Sequence, residues 1–158
     1  MGSTLPCEKI LDRNLYGENR TPWIIFSNTD PWEIVGETES FVRKEIYVFT
    51  KLVRTERRYI RVAGCGSWKG KSKQKSIRNS NSEVIGVKKS FTFKVNGNLN
   101  QDEQNRNGRW IMTEYTLEGI SLEGVNHDYA VCRISWDQPK FCVEAERSLI
   151  EEMPWNHD

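Results

Sequence analysis

Apolar and aromatic residues along this chain fall in short runs that are separated by polar turn segments. Six of these runs are rich in β-branched and aromatic residues, which is typical of β-strands. The predicted strands are Glu45–Thr50, Tyr59–Ala63, Ser67–Ile77, Val84–Val95, Arg109–Leu117 and Tyr129–Trp136. The pattern therefore predicts a mainly β protein of the α+β class, with an antiparallel sheet and a few small helices at its periphery.

The segment RWIMTEYTL (109–117) carries apolar side chains on both faces of its predicted strand. Trp110 and Met112 share one face, while Ile111, Tyr115 and Leu117 share the other. This pattern predicts a central strand that is covered on each side.

Helical patterns are confined to segments outside the predicted strands. Asp30–Glu33 begins with a capping Asp followed by Pro, which predicts a helical turn. Glu144–Met153 has the spacing of a short amphipathic helix. The segment TPWIIF (21–26) is interpreted only as an apolar element.

The length of 158 residues predicts a single domain. Residues 1–3, Met-Gly-Ser, are interpreted as a cloning remnant, which leaves residues 4–158 for the domain. The sequence has neither a signal segment nor an apolar run long enough to cross a bilayer. We therefore expect an intracellular protein with reduced cysteines.

Charge is distributed unevenly, although the formal net charge is only +1. Residues 51–94 contain 13 Lys or Arg against two acidic residues, whereas the segments on either side contain more acids than bases. A charge run is usually a solvated face, but these cations repel one another unless an anion neutralises them. The distribution therefore favours a nucleic-acid partner.

Four lysines of the basic segment follow a period of two: Lys69, Lys71, Lys73 and Lys75. On one continuous strand this spacing puts all four ammonium groups on the same face, in steps of about 6.5–7 Å. Because such steps are close to the spacing of phosphates along a nucleic acid, we expect residues 67–77 to follow a phosphate backbone.

Other chemistries fit the sequence poorly. The segment GCGSWKGKSK (64–73) contains Gly-Lys-Ser, but Cys65 occupies the position where a nucleotide-binding loop needs its first glycine. The four cysteines form no C-x-x-C pair, and His127 and His157 are not at ligand spacing, so we expect no metal and no cofactor. Because no nucleophile motif or partnered acid–base pair is present, we do not expect an enzyme.

Five segments occur in an order that resembles the plant NAC transcription-factor domain. They are DPWEI (30–34), RRYIRVAGCGSWKGKSKQKSI (57–77), VIGVKKSFTF (84–93), RWIMTEYTL (109–117) and DYAVCRI (128–134). The resemblance implies a twisted antiparallel β-sheet flanked by a few short helices. It also implies a plant transcription regulator that works in the nucleus.

The resemblance implies sequence-specific binding to double-stranded DNA, with the lysine-rich strand Trp68–Ile77 entering the major groove. Trp68 is expected to anchor this strand to the core, while flanking Lys and Arg contact phosphates. The residues expected to bind DNA in this sequence are Arg58, Arg61, Lys69, Lys71, Ser72, Lys73, Gln74, Lys75, Arg78, Lys88 and Lys89.

Two departures from the family pattern leave alternatives open. Lys71 and Gln74 stand where the family has a small polar residue and an acid, which adds positive charge and bears on base preference. Gln74 is able to read adenine through its amide. The second departure is the arm, residues 4–29, which matches the family's dimerisation arm only faintly. A monomer and a homo- or heterodimer with NAC-family proteins are therefore both open.

The domain thus divides into a divergent arm (4–29), a core (30–136) and a C-terminal extension (137–158). The alternative function is a NAC-like protein-interaction module without specific DNA recognition. RNA binding is a third option, but it requires exposed rings on the sheet face, whereas the aromatic residues of the strands are expected to be buried.

Overall fold

The computed structural model of the protein describes residues 9–71, 73–97, 107–118 and 128–140. The predicted helix Glu144–Met153 lies outside these residues. Within them the chain forms eleven strands and one short helix. They are β1 (Ile10–Asp12), α1 (Pro22–Ile25), β2 (Glu33–Glu37), β3 (Phe41–Lys51), β4 (Val53–Arg54), β5 (Tyr59–Ile60), β6 (Val62–Ala63), β7 (Gly66–Gly70), β8 (Lys75–Arg78), β9 (Val84–Val95), β10 (Arg109–Leu117) and β11 (Tyr129–Pro139).

Nine of these strands form one sheet in the order β1-β3-β11-β10-β9-β7-β6, with β2 also pairing with β3 and β8 also pairing with β9. The pairing of β1 with β3 is parallel, and the other strand pairings of this sheet are antiparallel. Strands β4 and β5 form a separate two-stranded ladder. The predicted mainly β fold with an antiparallel sheet is therefore confirmed.

One face of the large sheet forms the hydrophobic core, and we call it the core face. Side chains at every second position of its strands are buried there, as the two-residue period of a strand requires. These side chains are Ile46, Val48, Trp68, Phe91, Phe93, Trp110, Met112, Cys132, Ile134 and Trp136. Leu15, Tyr16 and Phe26 pack over them, so residues of the predicted arm belong to the same core.

Helix α1 is part of the layer that covers the core face. Pro22 occupies its first position, where a fixed φ angle suits a helix and the missing N–H is not needed. The helix ends after one turn, with the Phe26 N–H donating to the Pro22 carbonyl. Trp23 packs edge-on against Phe93 of β9, with the ring centroids 5.6 Å apart. The apolar element at residues 21–26 therefore serves as a lid on the core.

The predicted helical turn at Asp30–Glu33 is wrong, because Glu33 begins β2. The Asp30 carboxylate does not cap the residues that follow. It accepts hydrogen bonds from the Arg13 guanidinium at 3.0 Å and from the Ser27 N–H at 2.8 Å. The Trp32 indole N–H also donates back, to the Ser27 carbonyl at 2.7 Å. Because Arg13 and Ser27 belong to the arm, these hydrogen bonds connect the arm to the segment that leads into β2.

Strand β10 lies between β9 and β11, which confirms its predicted central position. The prediction that both of its faces are covered is met only in part, because on its second face Thr113 is buried whereas Leu117 is 51% exposed. The second face of the sheet, which carries Lys88, Tyr115, Val131 and Phe49, is called the open face below. Phe49 on this face remains 37% exposed, and so does Tyr129. The expectation that all aromatic residues of the strands are buried is therefore wrong for these two rings.

The predicted strand Tyr59–Ala63 is divided in the structure. Its first half, β5, pairs with β4, and its second half, β6, pairs with β7 at the edge of the large sheet. Arg61 lies at the break between the two halves. In the described part of the chain, no helix is long and apolar enough to cross a membrane.

Candidate nucleic-acid interface

The predicted strand over residues 67–77 is two strands, β7 and β8, that run along the same edge of β9. Gly70 ends β7 opposite Phe91, and Lys75 begins β8 opposite Lys88. Four residues of the edge, 71–74, therefore correspond to two residues of β9, Ser90 and Lys89. We call residues 71–74 the excursion, and Ser72 within it lies outside the described residues. The prediction of one continuous strand is wrong.

The composition of the edge explains why the pairing breaks there. The Lys71 N–H still donates to the Ser90 carbonyl at 2.9 Å, after which regular pairing stops until Lys75. Glycine and, to a lesser degree, lysine have low strand propensity, and Gly70, Lys71 and Lys73 all lie at this point of the edge. In the observed register Lys75 is opposite Lys88, so repulsion between lysines does not explain the break.

The lysine row is consequently divided into three parts. Lys69 is opposite Thr92 and Lys75 is opposite Lys88, and these two β9 residues are four positions apart. Side chains four positions apart on a strand share a face, so Lys69 and Lys75 both belong to the open face. Lys71 and Lys73 lie between them in the excursion and are exposed. Lys69 and Lys75, whose backbone is paired with β9, thus flank a segment without regular pairing.

Trp68 attaches β7 to the core, as expected. Its side chain is 4% exposed and packs edge-on against Phe93, with the ring centroids 5.4 Å apart. The two strands approach closely at Gly66, where an added Cβ atom would lie 2.2 Å from the Lys94 carbonyl oxygen. Only glycine permits this approach without a shift of the backbone. The excursion therefore follows a firmly held strand.

The Arg61 side chain forms an ion pair with a buried acid, Glu114. Its guanidinium donates two hydrogen bonds to Glu114 of β10, at 2.8 and 3.2 Å. The two side chains are 14% and 1% exposed. The Arg61 guanidinium also stacks on Phe91, 4.4 Å from the ring centroid. Burial alone would lower the pKa of Arg61, but the hydrogen bonds and negative charge of Glu114 outweigh burial and raise it.

The phenol of Tyr16 completes this buried network. Its hydroxyl donates to the second Glu114 oxygen at 2.8 Å. Burial raises the pKa of Tyr16 well above its ordinary value, and the neighbouring Cys132 and Glu114 raise it further. Tyr16 therefore stays protonated and remains a donor at any physiological pH.

Neighbouring Lys88 and Lys89 point to opposite faces of the sheet. Lys88 pairs with Tyr115 on the open face, whereas Lys89 pairs with Glu114 on the core face. Both side chains are half-buried. A depression of about 240 Å³ is lined by Lys89 together with Arg61 and Gln74. Two cations that are distant in sequence therefore lie close to Gln74 of the excursion.

Arg58 and Arg78 occupy turns at either side of this region. Arg58 is exposed in the turn between β4 and β5, where its carbonyl accepts from the Thr55 N–H at 2.8 Å. Arg78 ends β8 and donates to the Ser82 carbonyl at 2.8 Å. A second depression, of about 320 Å³, is lined by Arg58, Arg61 and Lys69 among others.

Most of the expected DNA-binding residues have no acidic partner among the described residues. Four ion pairs join described residues, and among the expected DNA-binding residues Arg61 alone takes part in one of them. The other described cations of that set have no acidic partner within the described ranges. Over the same ranges, no three His, Cys, Asp or Glu side chains cluster as a metal site would require. The positive charge of this region is therefore largely unopposed, and it attracts anions.

Glu114 and Tyr16 are important residues that the sequence analysis did not identify. Glu114 carried a usable signal, because it falls on the same strand face as Trp110 and Met112. An acid in a buried position needs a cationic or hydrogen-bonded partner. Tyr16 carried no such signal, since it lies in an irregular segment whose contacts depend on the fold.

Comparisons with known proteins find a family model and several relatives that match this chain. A family model described as No apical meristem (NAM) protein matches residues 6–117. NAC domain-containing protein 20 of Oryza sativa subsp. indica is 30% identical over 116 residues, which cover 66% of this chain and 35% of the relative. NAC domain-containing protein 89 of Arabidopsis thaliana is 29% identical over 133 residues, which cover 78% of this chain and 36% of the relative.

A third relative, Protein SOMBRERO of Arabidopsis thaliana, is 29% identical over 110 residues, which cover 66% of this chain and 29% of the relative. The chain thus spans about a third of the length of the curated relatives it matches. The family match begins at residue 6 and so includes most of the segment that the sequence analysis set apart as a divergent arm.

Proposed function

Because the chain belongs to the plant NAC family, a family of transcription factors with a DNA-binding domain, we propose that it is a sequence-specific DNA-binding transcription regulator. Its ligand is double-stranded DNA and its place of action is the nucleus. Both statements rest on the family together with the basic edge formed by β7, the excursion and β8.

The observation that carries the proposal is the excursion itself. Lys71, Lys73 and Gln74 are exposed and lie between the two regularly paired strands, while Trp68 holds the preceding strand in the core. A strand edge of this kind fits the major groove of B-DNA, which is about 12 Å wide. The excursion would enter the groove, and Gln74 with Ser72 would contact base edges.

Phosphate contacts come from cations on both sides of the excursion. Lys69 and Lys75 lie next to it on the open face, and Arg58, Arg78 and Lys88 lie farther out. Neutralising phosphates releases counterions from DNA, so affinity falls steeply with salt concentration. These contacts fix the register of the protein on DNA, while base contacts supply the specificity.

Arg61 acts in this proposal as a positioning residue. Its guanidinium is held by Glu114 and stacks on Phe91, directly beside the edge that carries the excursion. The Trp68 N–H also donates to the Arg61 carbonyl at 2.9 Å. Arg61 therefore supports β7, while more exposed cations reach the phosphates.

The proposal is tested by selecting a preferred duplex from a randomised pool and measuring fluorescence anisotropy against a scrambled duplex at several salt concentrations. We expect Gln74→Ala to lose the preference, and the double variant Lys71→Ala/Lys73→Ala to weaken binding and to reduce the slope of log K against log salt by about 2. The double variant Lys9→Ala/Lys51→Ala removes the same charge away from the excursion, and it should keep the preference.

Two results would overturn the proposal. The first is the absence of duplex binding at low salt. The second is binding that shows no sequence preference, which would leave only a basic surface and would favour the protein-interaction alternative. Sedimentation of the complex with duplexes that carry one or two half-sites distinguishes a monomer from a dimer.

A further inference from the structure

Five residues form a single row across five strands of the open face. Lys75 of β8 pairs with Lys88, Lys88 pairs with Tyr115, Tyr115 pairs with Val131, and Val131 pairs with Phe49. Residues directly opposite one another on antiparallel strands project from the same face. The row therefore changes along its length from two ammonium groups to three apolar side chains.

A groove lies beside the apolar half of this row. In the neighbouring row, Gly86 stands between Ile77 and Leu117, and since glycine has no side chain it leaves a trough between them. The groove has a volume of about 490 Å³. The rings of Phe49 and Tyr129 stack in parallel at 5.0 Å and line the groove as well.

The groove is exposed in spite of its apolar lining. Leu117 is 51% exposed, and the stacked rings of Phe49 and Tyr129 are 37% exposed. Single exposed apolar residues are normal on soluble proteins, but a contiguous apolar patch is a mark of a binding surface.

We propose that this groove binds an acidic amphipathic segment of a partner protein. Bulky apolar side chains of the segment occupy the trough between Ile77 and Leu117, and its carboxylates pair with Lys75 and Lys88. Lys51, which is opposite Tyr129, adds a cation at the other side of the groove. Asp12 lies beyond Phe49 at the far end of the row, so acidic residues of the segment lie at the Lys75–Lys88 end.

The lining of the groove favours a protein ligand over single-stranded nucleic acid. Bases stack on free aromatic faces, and the contact between Phe49 and Tyr129 covers one face of each ring. Much of the remaining lining is aliphatic, with Ile77, Leu117 and Val131. Branched aliphatic walls suit Leu, Ile or Phe side chains, as in grooves that accept an amphipathic helix.

This inference is independent of DNA binding, although Lys75 and Lys88 belong to both surfaces. Its test therefore contains no DNA. The probe is a fluorescein-labelled twelve-residue peptide with Leu at positions i, i+3, i+4 and i+7 and Glu elsewhere, titrated with the whole chain and followed by anisotropy.

We expect Leu117→Glu to weaken binding of the probe about tenfold, because it puts a carboxylate at the centre of the apolar contact. Lys88→Glu should weaken it several-fold by repelling the carboxylates of the peptide. The matched control is Ile34→Glu, the same kind of change at a 65% exposed residue near the other end of β3. It should leave binding unchanged, and a probe with Lys in place of Glu should not bind.

Several outcomes would overturn the inference. The probe does not bind, or Leu117→Glu and Ile34→Glu bind it equally. A single-stranded oligonucleotide that binds with the same dependence on Leu117 would assign the groove to nucleic acid. Self-association that Leu117→Glu abolishes would assign it to a second copy of the chain. Far-UV circular dichroism of each variant verifies that it is folded.

Discussion

The Arg61 guanidinium lies 2.8 Å from one Glu114 oxygen and 3.2 Å from the other, in a two-point pair that connects the edge of the sheet to its centre. Arg61 immediately precedes the edge strand β6, whereas Glu114 belongs to the central strand β10. The pair therefore determines where the edge, and with it the excursion, sits relative to the core.

Glu114→Gln should lower the free energy of unfolding by about 3 kcal/mol, because it leaves the Arg61 charge buried without a counter-charge. Urea denaturation measures the loss. Glu118→Gln, one residue beyond the end of β10 and exposed, is the control and should change stability by less than about 0.5 kcal/mol. Equal stability of the two variants would contradict the importance of the buried pair.

Deletion of Ser72 and Lys73 should restore one-to-one pairing of the edge with β9, because the excursion exceeds its partner by two residues. We expect a folded protein with unchanged far-UV circular dichroism that no longer prefers its selected duplex. Lys73→Ala removes the charge without altering the chain length, and it should weaken binding but keep the preference. Persistent preference in the deletion variant would show that the excursion does not read bases.

Asp30 should make stability depend on pH in the acid range. Burial alone raises the pKa of Asp30, but hydrogen bonds from Arg13 and the Ser27 N–H, with the charge of Arg13, outweigh burial and lower it. A lowered folded-state pKa means that the stabilisation is complete above the unfolded value of about 3.9 and is lost as the pH falls through the folded-state value.

The measurement compares urea midpoints of the parent protein and Asp30→Asn at several pH values between 6 and 3. The variant should be less stable at pH 6, and the difference should shrink towards pH 3. Asp12→Asn, at an exposed position on β1, serves as the control. A difference in urea midpoint that stays constant across this pH range would contradict the lowered pKa of Asp30.

Cys132 should resist alkylation in the folded protein. It is fully buried, and burial raises the pKa of its thiol well above the ordinary value, with a further contribution from the negative charge of Glu114. Thiolate is the reactive form, so iodoacetamide at pH 8 should modify Cys132 only in urea. Cys65 is partly exposed and should react in the folded state. Peptide mass spectrometry distinguishes the two, and comparable rates would contradict the prediction.

The central strands were predicted most accurately from the sequence. The predicted bounds of β9 and β10 coincide with the observed ones, and β3 and β11 were found but predicted too short. Long strands that are buried on one face carry a strong two-residue period. Strands β1 and β2 were missed because β1 has three residues and β2 contains two glutamates and a glycine, and such segments carry little pattern.

The candidate site was predicted only in part. The basic segment and the lysine row of residues 67–77 were identified from charge and spacing along the chain, whereas the anchoring of Trp68 was expected from the family resemblance. The division of the lysine row did not, because a strand's own period says nothing about how many residues its neighbour offers for pairing. The number of pairing positions is set by β9, and it can be counted only when β7 and β8 are placed against β9 in the folded sheet.

The sequence by itself determined the β character of the chain, its buried faces and the concentration of cations between residues 51 and 94, because these depend on residue type and local period. Only the tertiary structure decided which cations are available. It paired Arg61 with Glu114, divided the lysine row, and left Phe49 and Tyr129 exposed. These outcomes depend on strand order and register, which are set by contacts between residues far apart in the chain.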